Sequence, residues 1–210
     1  MLLIKKGKEP SSLTEYKTQS NAYYDGCNKS DIRKALLNEQ GYLCAYCMKR
    51  ISETSMTVEH YSTQSNISEK EALDYNNMLG VCLGNRGKGQ KNLTCDAHRG
   101  NDNLTINPFL KASINLICYD GSGKIYSDDP EINKDLDVTL NLNCEQVLLK
   151  TNRKRALEAL KKYLLSLRSK GTWKKEFLRR IKKKYESPNE IGKLEPYSGI
   201  ILYYLNKKIR

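Results

Sequence analysis

Ile32, Leu36 and Leu37 are the apolar positions of an otherwise polar run from Asp31 to Gln40, and their spacing lays one stripe along a helix. Ser30 offers the N-cap, Asp31 sits where an acid is favoured, and Gly41 can end the element. Beyond Gly41 the period changes. Met48 to Ile51 and Thr57 to Tyr61 flank the polar turn Ser52-Glu53-Thr54-Ser55 and predict a two-stranded ribbon, with Asn77 to Cys82 a further apolar run. Ser62 to Asp74 predicts a polar loop with one helical turn near Glu69 to Leu73. Ile114 to Tyr119 and Lys124 to Tyr126, joined by Asp120-Gly121-Ser122-Gly123, predict a hairpin, and Val138 to Leu142 another short extended piece. From Glu145 to Tyr185 apolar residues recur at three and four residue steps, with a break at Gly171 and a stop at Pro188; Tyr197 to Ile209 predicts a last helix. Residues 1–28 show no period and predict an arm without regular elements. No internal repeat is present.

These elements define an α+β chain with an arm (1–28), a core unit (29–110) and a hairpin followed by a helical region packed on that core (111–210). A length of 210 residues suits one core of ordinary size rather than two independent domains. The N-terminal apolar run is too short for a secretory signal, and no segment reaches the roughly 18 apolar residues of a membrane span. A soluble, cytoplasmic protein is therefore expected. Net charge is +12, and its placement matters more than its size. Lys150 to Lys184 holds 15 Lys and Arg against Glu158 and Glu176, so the whole positive excess lies in that segment. A polyanion such as nucleic acid is the expected partner, with Lys182, Lys183 and Lys184 on its backbone, although a charged helical face is equally the mark of a merely solvated one.

Seven cysteines in a reducing compartment point to metal ligands and free thiols, not to a disulfide framework. Cys44 and Cys47 have the spacing of a metal-binding knuckle, and Cys82 and Cys95 return two more thiols, so the four form a soft set that selects structural Zn²⁺. The twelve residues between Cys82 and Cys95 depart from knuckle spacing. That stretch is Gly-rich and basic, a loop expected to work at the substrate through Lys88 and Lys91. Cys27 has no neighbour at ligand spacing, and Cys118 and Cys144 read as packed thiols. Between the two thiol pairs lies Glu59-His60. A neutral histidine can take a proton from water while a carboxylate holds a divalent cation against a phosphate. Strand neighbours point to opposite faces, so joint use of the two predicts a bend or bulge at the strand end.

Taken together these residues resemble the HNH endonucleases of the ββα-metal fold, in which a zinc knuckle frequently staples the site. More narrowly they resemble the PtuB family of Septu-type and retron-associated anti-phage systems. The resemblance rests on Ile32 to Cys47 (IRKALLNEQGYLCAYC), Val58-Glu59-His60-Tyr61, Asn77 to Cys82, Cys95 to Asn101, and Leu140-Asn141-Leu142-Asn143 ahead of Arg153. It implies a zinc-stapled ββα core with His60 as the general base. Glu59 stands where the family usually has Asp and is implied as a ligand for Mg²⁺ or Mn²⁺; Asn77 is implied to fix the loop and orient the base. The last signature position falls on Asp96, a departure from the usual His or Asn that still suits a hard cation. His98 is the second candidate for it, and Arg99 is implied to contact phosphate.

The function expected is metal-dependent hydrolysis of DNA phosphodiesters by the nuclease effector of an anti-phage system. A ribonuclease acting on tRNA, for example, and a zinc-stabilised nucleic-acid-binding adaptor without turnover are the competing readings. The resemblance implies a PtuA-like ATPase subunit as partner and, in retron-type systems, a reverse transcriptase with its nucleic acid. No glycine-rich nucleotide-binding signature is present, so any use of ATP is expected from a partner.

Overall fold

The computed structural model describes residues 1–167 and 173–210; the expected break at Gly171 lies outside them. The N-terminal segment, expected to lack regular elements, carries helix α1 (Ser11–Tyr16) and a 3-10 turn at Tyr24–Gly26. Met1, Ile4, Leu13 and Cys27 are buried, so the segment belongs to the packed body. Isolated apolar residues without a period decide this. Lys6 adds a polar anchor, 3.0 Å from Glu39 and 3.1 Å from the Met78 carbonyl.

Helix α2 (Lys29–Glu39) begins before the expected Asp31 because Asn28, not Ser30, is the cap: the Asn28 side chain accepts the Ser30 N–H at 3.0 Å. Ile32, Leu36 and Leu37 face inward as their spacing requires. The helix packs on a two-stranded antiparallel ribbon, β1 (Met56–His60) and β2 (Met78–Cys82), with Glu59 opposite Leu79 and His60 opposite Met78. This corrects the expected pairing of Met48 to Ile51 with β1. The Met48 to Ile51 segment instead closes the turn that carries Cys44 and Cys47: Cys44 N–H donates to Lys49 O at 2.9 Å, and Leu43 bridges Arg50. Its backbone groups are consumed locally.

After Cys95, whose φ is 56°, comes the one-turn helix α3 (Asp96–Arg99). Helix α4 (Lys111–Asn115) then takes residues that the hairpin was expected to use, leaving strands β3 (Cys118–Tyr119) and β4 (Ile125–Tyr126) only two residues each. Helix α5 (Pro130–Lys134) opens with Asp129 accepting the N–H groups of Glu131 and Ile132, and it runs on into a π-helical turn over Asp135–Thr139. The extended piece expected at Val138 to Leu142 is therefore corrected. The buried Asp135 carboxylate accepts the N–H groups of Thr105 and Ile106 at 2.5 and 2.8 Å, a long-range contact invisible to local propensity.

Helices α6 (Leu149–Ser166), α7 (Lys175–Glu186) and α8 (Ser198–Ile209) complete the chain, with α8 packed on both others. The C-terminal half closes directly on the thiol-bearing turn. Tyr197 N–H donates to Met48 O at 3.2 Å, Cys95 N–H to Leu140 O at 2.9 Å, and the first turn of α8 lies so near Met48 that a Cβ on Gly199 would sit 2.8 Å from its sulfur. Buried Arg153 of α6 donates to Gly123 O and Leu142 O at 2.6 and 3.0 Å, joining helix, hairpin and the segment after the π turn. Among the described residues no helix is long and apolar enough to cross a membrane.

Candidate functional site

Cys44 and Cys47 from the closed turn, Cys82 from the end of β2 and Cys95 from the start of α3 converge, with all four sulfurs within 4.8 Å of one another. The Cys44–Cys95, Cys47–Cys82 and Cys82–Cys95 separations are 3.9, 3.8 and 3.7 Å. A tetrahedral zinc with bonds of about 2.3 Å sets its sulfurs about 3.8 Å apart, so the set fits Zn²⁺ in both chemistry and size. Hydrogen bonding to Cys44 and then to Cys82 pushes Cys47 up, and hydrogen bonding to the other three thiols, Cys44 first, pushes Cys95 up and draws Cys82 down. All seven cysteines are free of disulfides, and Cys27 and Cys144 are buried as packed thiols.

Beside this cluster two carboxylates meet. Glu59, at the penultimate position of β1, lies within hydrogen-bonding range of Asp96, the first residue of α3. Burial, and after it the Asp96 carboxylate, push Glu59 up to about 8 against the pull of Arg99. Two acids held together in this way suit a divalent cation, which removes their repulsion. Mg²⁺ keeps several waters, so two protein carboxylates are a sufficient set. Among the described residues the four thiols are the group that supplies three or more ligands within reach of one ion.

The arginines around the pair differ from expectation. Arg99 is 2% exposed, and its donors are taken up inside the protein: by Glu59, by Tyr46 Oη at 3.2 Å, and by the carbonyls of His60, Tyr61 and Asp102 at 3.2, 2.7 and 2.7 Å. The phosphate contact expected of it is thus corrected to an internal role, because no donor faces outward. Arg86, singled out only as part of the basic loop, is half exposed and ion-paired with Asp96. Tyr46, between the two knuckle cysteines, is buried against Glu59. Neither was legible as a site residue; the signal for Tyr46 was its place inside the knuckle, and for Arg86 its place in the one flagged loop.

His60 is the last residue of β1, and the strand register runs to it unbroken, so the expected bulge is absent. Its Nε2 lies 2.8 Å from the Ala72 carbonyl, and the Tyr24 ring packs edge-on at 4.6 Å. A carbonyl only accepts, so Nε2 carries the proton and Nδ1 keeps the lone pair. Burial holds the ring's pKa down, which keeps it neutral. Asn77 ties the strand ends together: its side chain accepts the Ser62 N–H at 2.7 Å and donates to Ser62 O at 3.0 Å, and its carbonyl accepts the Tyr61 N–H at 2.8 Å. His98 is turned elsewhere, its Nδ1 3.0 Å from Thr139 O, and of the two candidates for the last signature position it is Asp96 that adjoins Glu59.

Lys88 and Lys91 are exposed on the loop between Cys82 and Cys95. Lys183 and Lys184 are exposed on α7, while Lys182 is half-buried and 3.2 Å from Glu186.

No family model matches the chain. It is similar to an Escherichia coli protein named "Retron Ec83 putative HNH endonuclease", 30% identical over 118 residues, covering 47% of this chain and 46% of the relative. The chain thus spans about half the length of the curated relative it matches.

Proposed function

We propose that this chain is a metal-dependent HNH endonuclease that hydrolyses phosphodiester bonds of DNA as the nuclease effector of an anti-phage system of the Septu or retron type. In this reading β1, β2 and α3 are a ββα-metal core stapled by Zn²⁺ on the four thiolates. The observation that carries it is one juxtaposition: the Glu59 and Asp96 carboxylates meet, Asp96 directly follows Cys95 of the thiol cluster, and His60, neutral and with its free nitrogen defined, directly follows Glu59. Similarity to the retron protein supports the nuclease class and a nucleic-acid substrate.

His60 Nδ1 takes the proton of the attacking water, with Nε2–H anchored on Ala72 O so that the ring cannot turn. Glu59 and Asp96 hold Mg²⁺ or Mn²⁺, which when bound supplies positive charge to the phosphate and the leaving oxygen. Arg99 and Tyr46 position Glu59, and Asn77 fixes the strand end from which His60 projects. A PtuA-like ATPase subunit and, in a retron setting, a reverse transcriptase with its nucleic acid are the partners that fit this reading.

The test is incubation of plasmid DNA and, separately, total RNA with the purified chain and Mg²⁺ or Mn²⁺, with EDTA and His60→Ala as controls. DNA cleavage is expected, abolished by EDTA and reduced at least about 100-fold in His60→Ala, which keeps its circular dichroism and zinc content. Unchanged cleavage by the folded mutant would overturn the assignment of the base. Cleavage of RNA alone would move the substrate class.

A further inference from the structure

A groove of about 560 Å³ lies between the thiol-bearing turn, the loop after β2 and the start of α6. Lys49, Arg50, Arg86 and Lys88 line it, and no carboxylate among the described residues does. Arg50 is committed to the carbonyls of Gly41 and Leu194. Lys49 and Lys88 are exposed and, among the described residues, have no acidic partner. The groove is therefore an anion site in charge. Its other contents are unusual for a surface that only follows phosphates. Leu83 and Leu148 are 43% and 60% exposed on it, and the exposed amide of Gln146 stands beside them.

We infer that this groove binds an unpaired nucleotide of a nucleic-acid strand, phosphates on Lys49 and Lys88 and the base against Leu83 and Leu148. Three observations converge on that ligand. Cations without acids attract phosphate at any sequence. Exposed apolar side chains beside them have a partner only if a base face is available, and in a duplex the faces are stacked inside. The Gln146 amide, whose Oε1 accepts from Cys144 Sγ at 3.3 Å, keeps its N–H donors for a base edge. The volume falls in the range of roughly 300–1,000 Å³ that encloses small ligands, and a concavity of that size takes a splayed nucleotide rather than the convex backbone of a duplex. The groove also adjoins the candidate catalytic pair, since Arg86 lines it and reaches Asp96. The inference rests on the nuclease reading for its biological use: the groove selects strands with unpaired positions and delivers the adjoining phosphate to Glu59 and Asp96.

The experiment measures fluorescence anisotropy of a labelled oligodeoxynucleotide, as single strand and as blunt duplex, with protein carrying His60→Ala so that nothing is cut. The single strand is expected to bind at least about tenfold more tightly. Lys49→Gln/Lys88→Gln is expected to weaken it about tenfold and to reduce the log–log salt slope by about 1.4, two phosphates at about 0.7 each. Leu148→Ser, at the capping position of α6 where serine is well tolerated, is expected to weaken binding with the salt slope unchanged. Equal or tighter binding of the duplex, displacement of the strand by an equimolar free nucleotide, or unaltered affinity in both variants would overturn the inference. Its failure is separate from that of the nuclease reading. Strand-selective binding with no cleavage by the unaltered chain sinks only the nuclease, whereas cleavage with unaltered binding by the groove variants sinks only the groove.

Discussion

Arg99 decides more about the site than any residue whose type announces chemistry. It places a guanidinium with no exposed side-chain surface against Glu59 and spends its remaining donors on Tyr46 and three carbonyls. Removing one partner of a buried pair leaves the other charge uncompensated. Arg99→Met is accordingly expected to lose about 3–5 kcal/mol in urea unfolding, and adding Glu59→Gln to recover part of that loss. A loss under about 1 kcal/mol would mean that the pair is solvated and that Arg99 remains free for phosphate. From sequence this arginine read as a phosphate ligand because its place after Cys95 fitted the motif. What the motif does not contain is depth: α3 is one turn long and follows Cys95 directly, so its last residue is carried beneath β1.

At the scale of elements, the ribbon shows how a side chain can stand in for a strand. Gln40, buried at the C-terminus of α2, donates from Nε2 to Gly80 O at 2.7 Å and to Leu43 O at 2.8 Å, and its Oε1 accepts the Gly80 N–H at 2.7 Å. It thereby pairs the middle of β2 on the edge that β1 does not cover. A Cβ on Gly80 would meet Met56 at 2.9 Å and the Gln40 amide at 3.3 Å, so the glycine is part of the same device. Gln40→Ala leaves two buried backbone groups of β2 and one of the turn without this partner. It is expected to cost about 1–3 kcal/mol, read as a lower urea midpoint at unchanged m-value. The turn before the ribbon explains why Met48 to Ile51 is not a strand. Its polarity pattern permits one, but β1 takes β2 as its partner, and the segment's backbone groups are used in the turn, where Lys49 O accepts the Cys44 N–H at 2.9 Å and Tyr42 O the Ile51 N–H at 3.0 Å.

At the scale of the molecule, the thiol cluster is where segments distant in sequence are held together. Cys44 and Cys47, Cys82 and Cys95 lie on three elements, and the C-terminal half closes on two of them, Tyr197 on Met48 of the turn and Leu140 on Cys95. Binding a structural zinc in such a place is largely folding free energy. The purified chain is expected to carry one zinc per chain by elemental analysis. Chelation, or Cys82→Ser, is expected to lower the thermal midpoint by more than about 10 °C with loss of ribbon and α3 protection in hydrogen exchange. An unchanged midpoint after complete zinc removal would show that apolar packing alone holds the three elements.

The sequence by itself determined what depends on short-range periodicity and on residue chemistry: α2 from its stripe, the C-terminal helices from theirs, the hairpin from its turn, the four thiols from a knuckle and two further cysteines, and the acid–histidine dipeptide between them. Tertiary structure alone decided which strand pairs with β1, that the N-terminal segment is packed, that Val138 and Thr139 end a π turn over Asp135–Thr139 instead of opening an extended piece, and that Arg99 faces Glu59 while Arg86 takes Asp96. The physical reason is the same in each case. These outcomes turn on hydrogen bonds and burial between residues tens of positions apart, whose strength is set by geometry and desolvation, and neither quantity is carried by the local pattern of the chain.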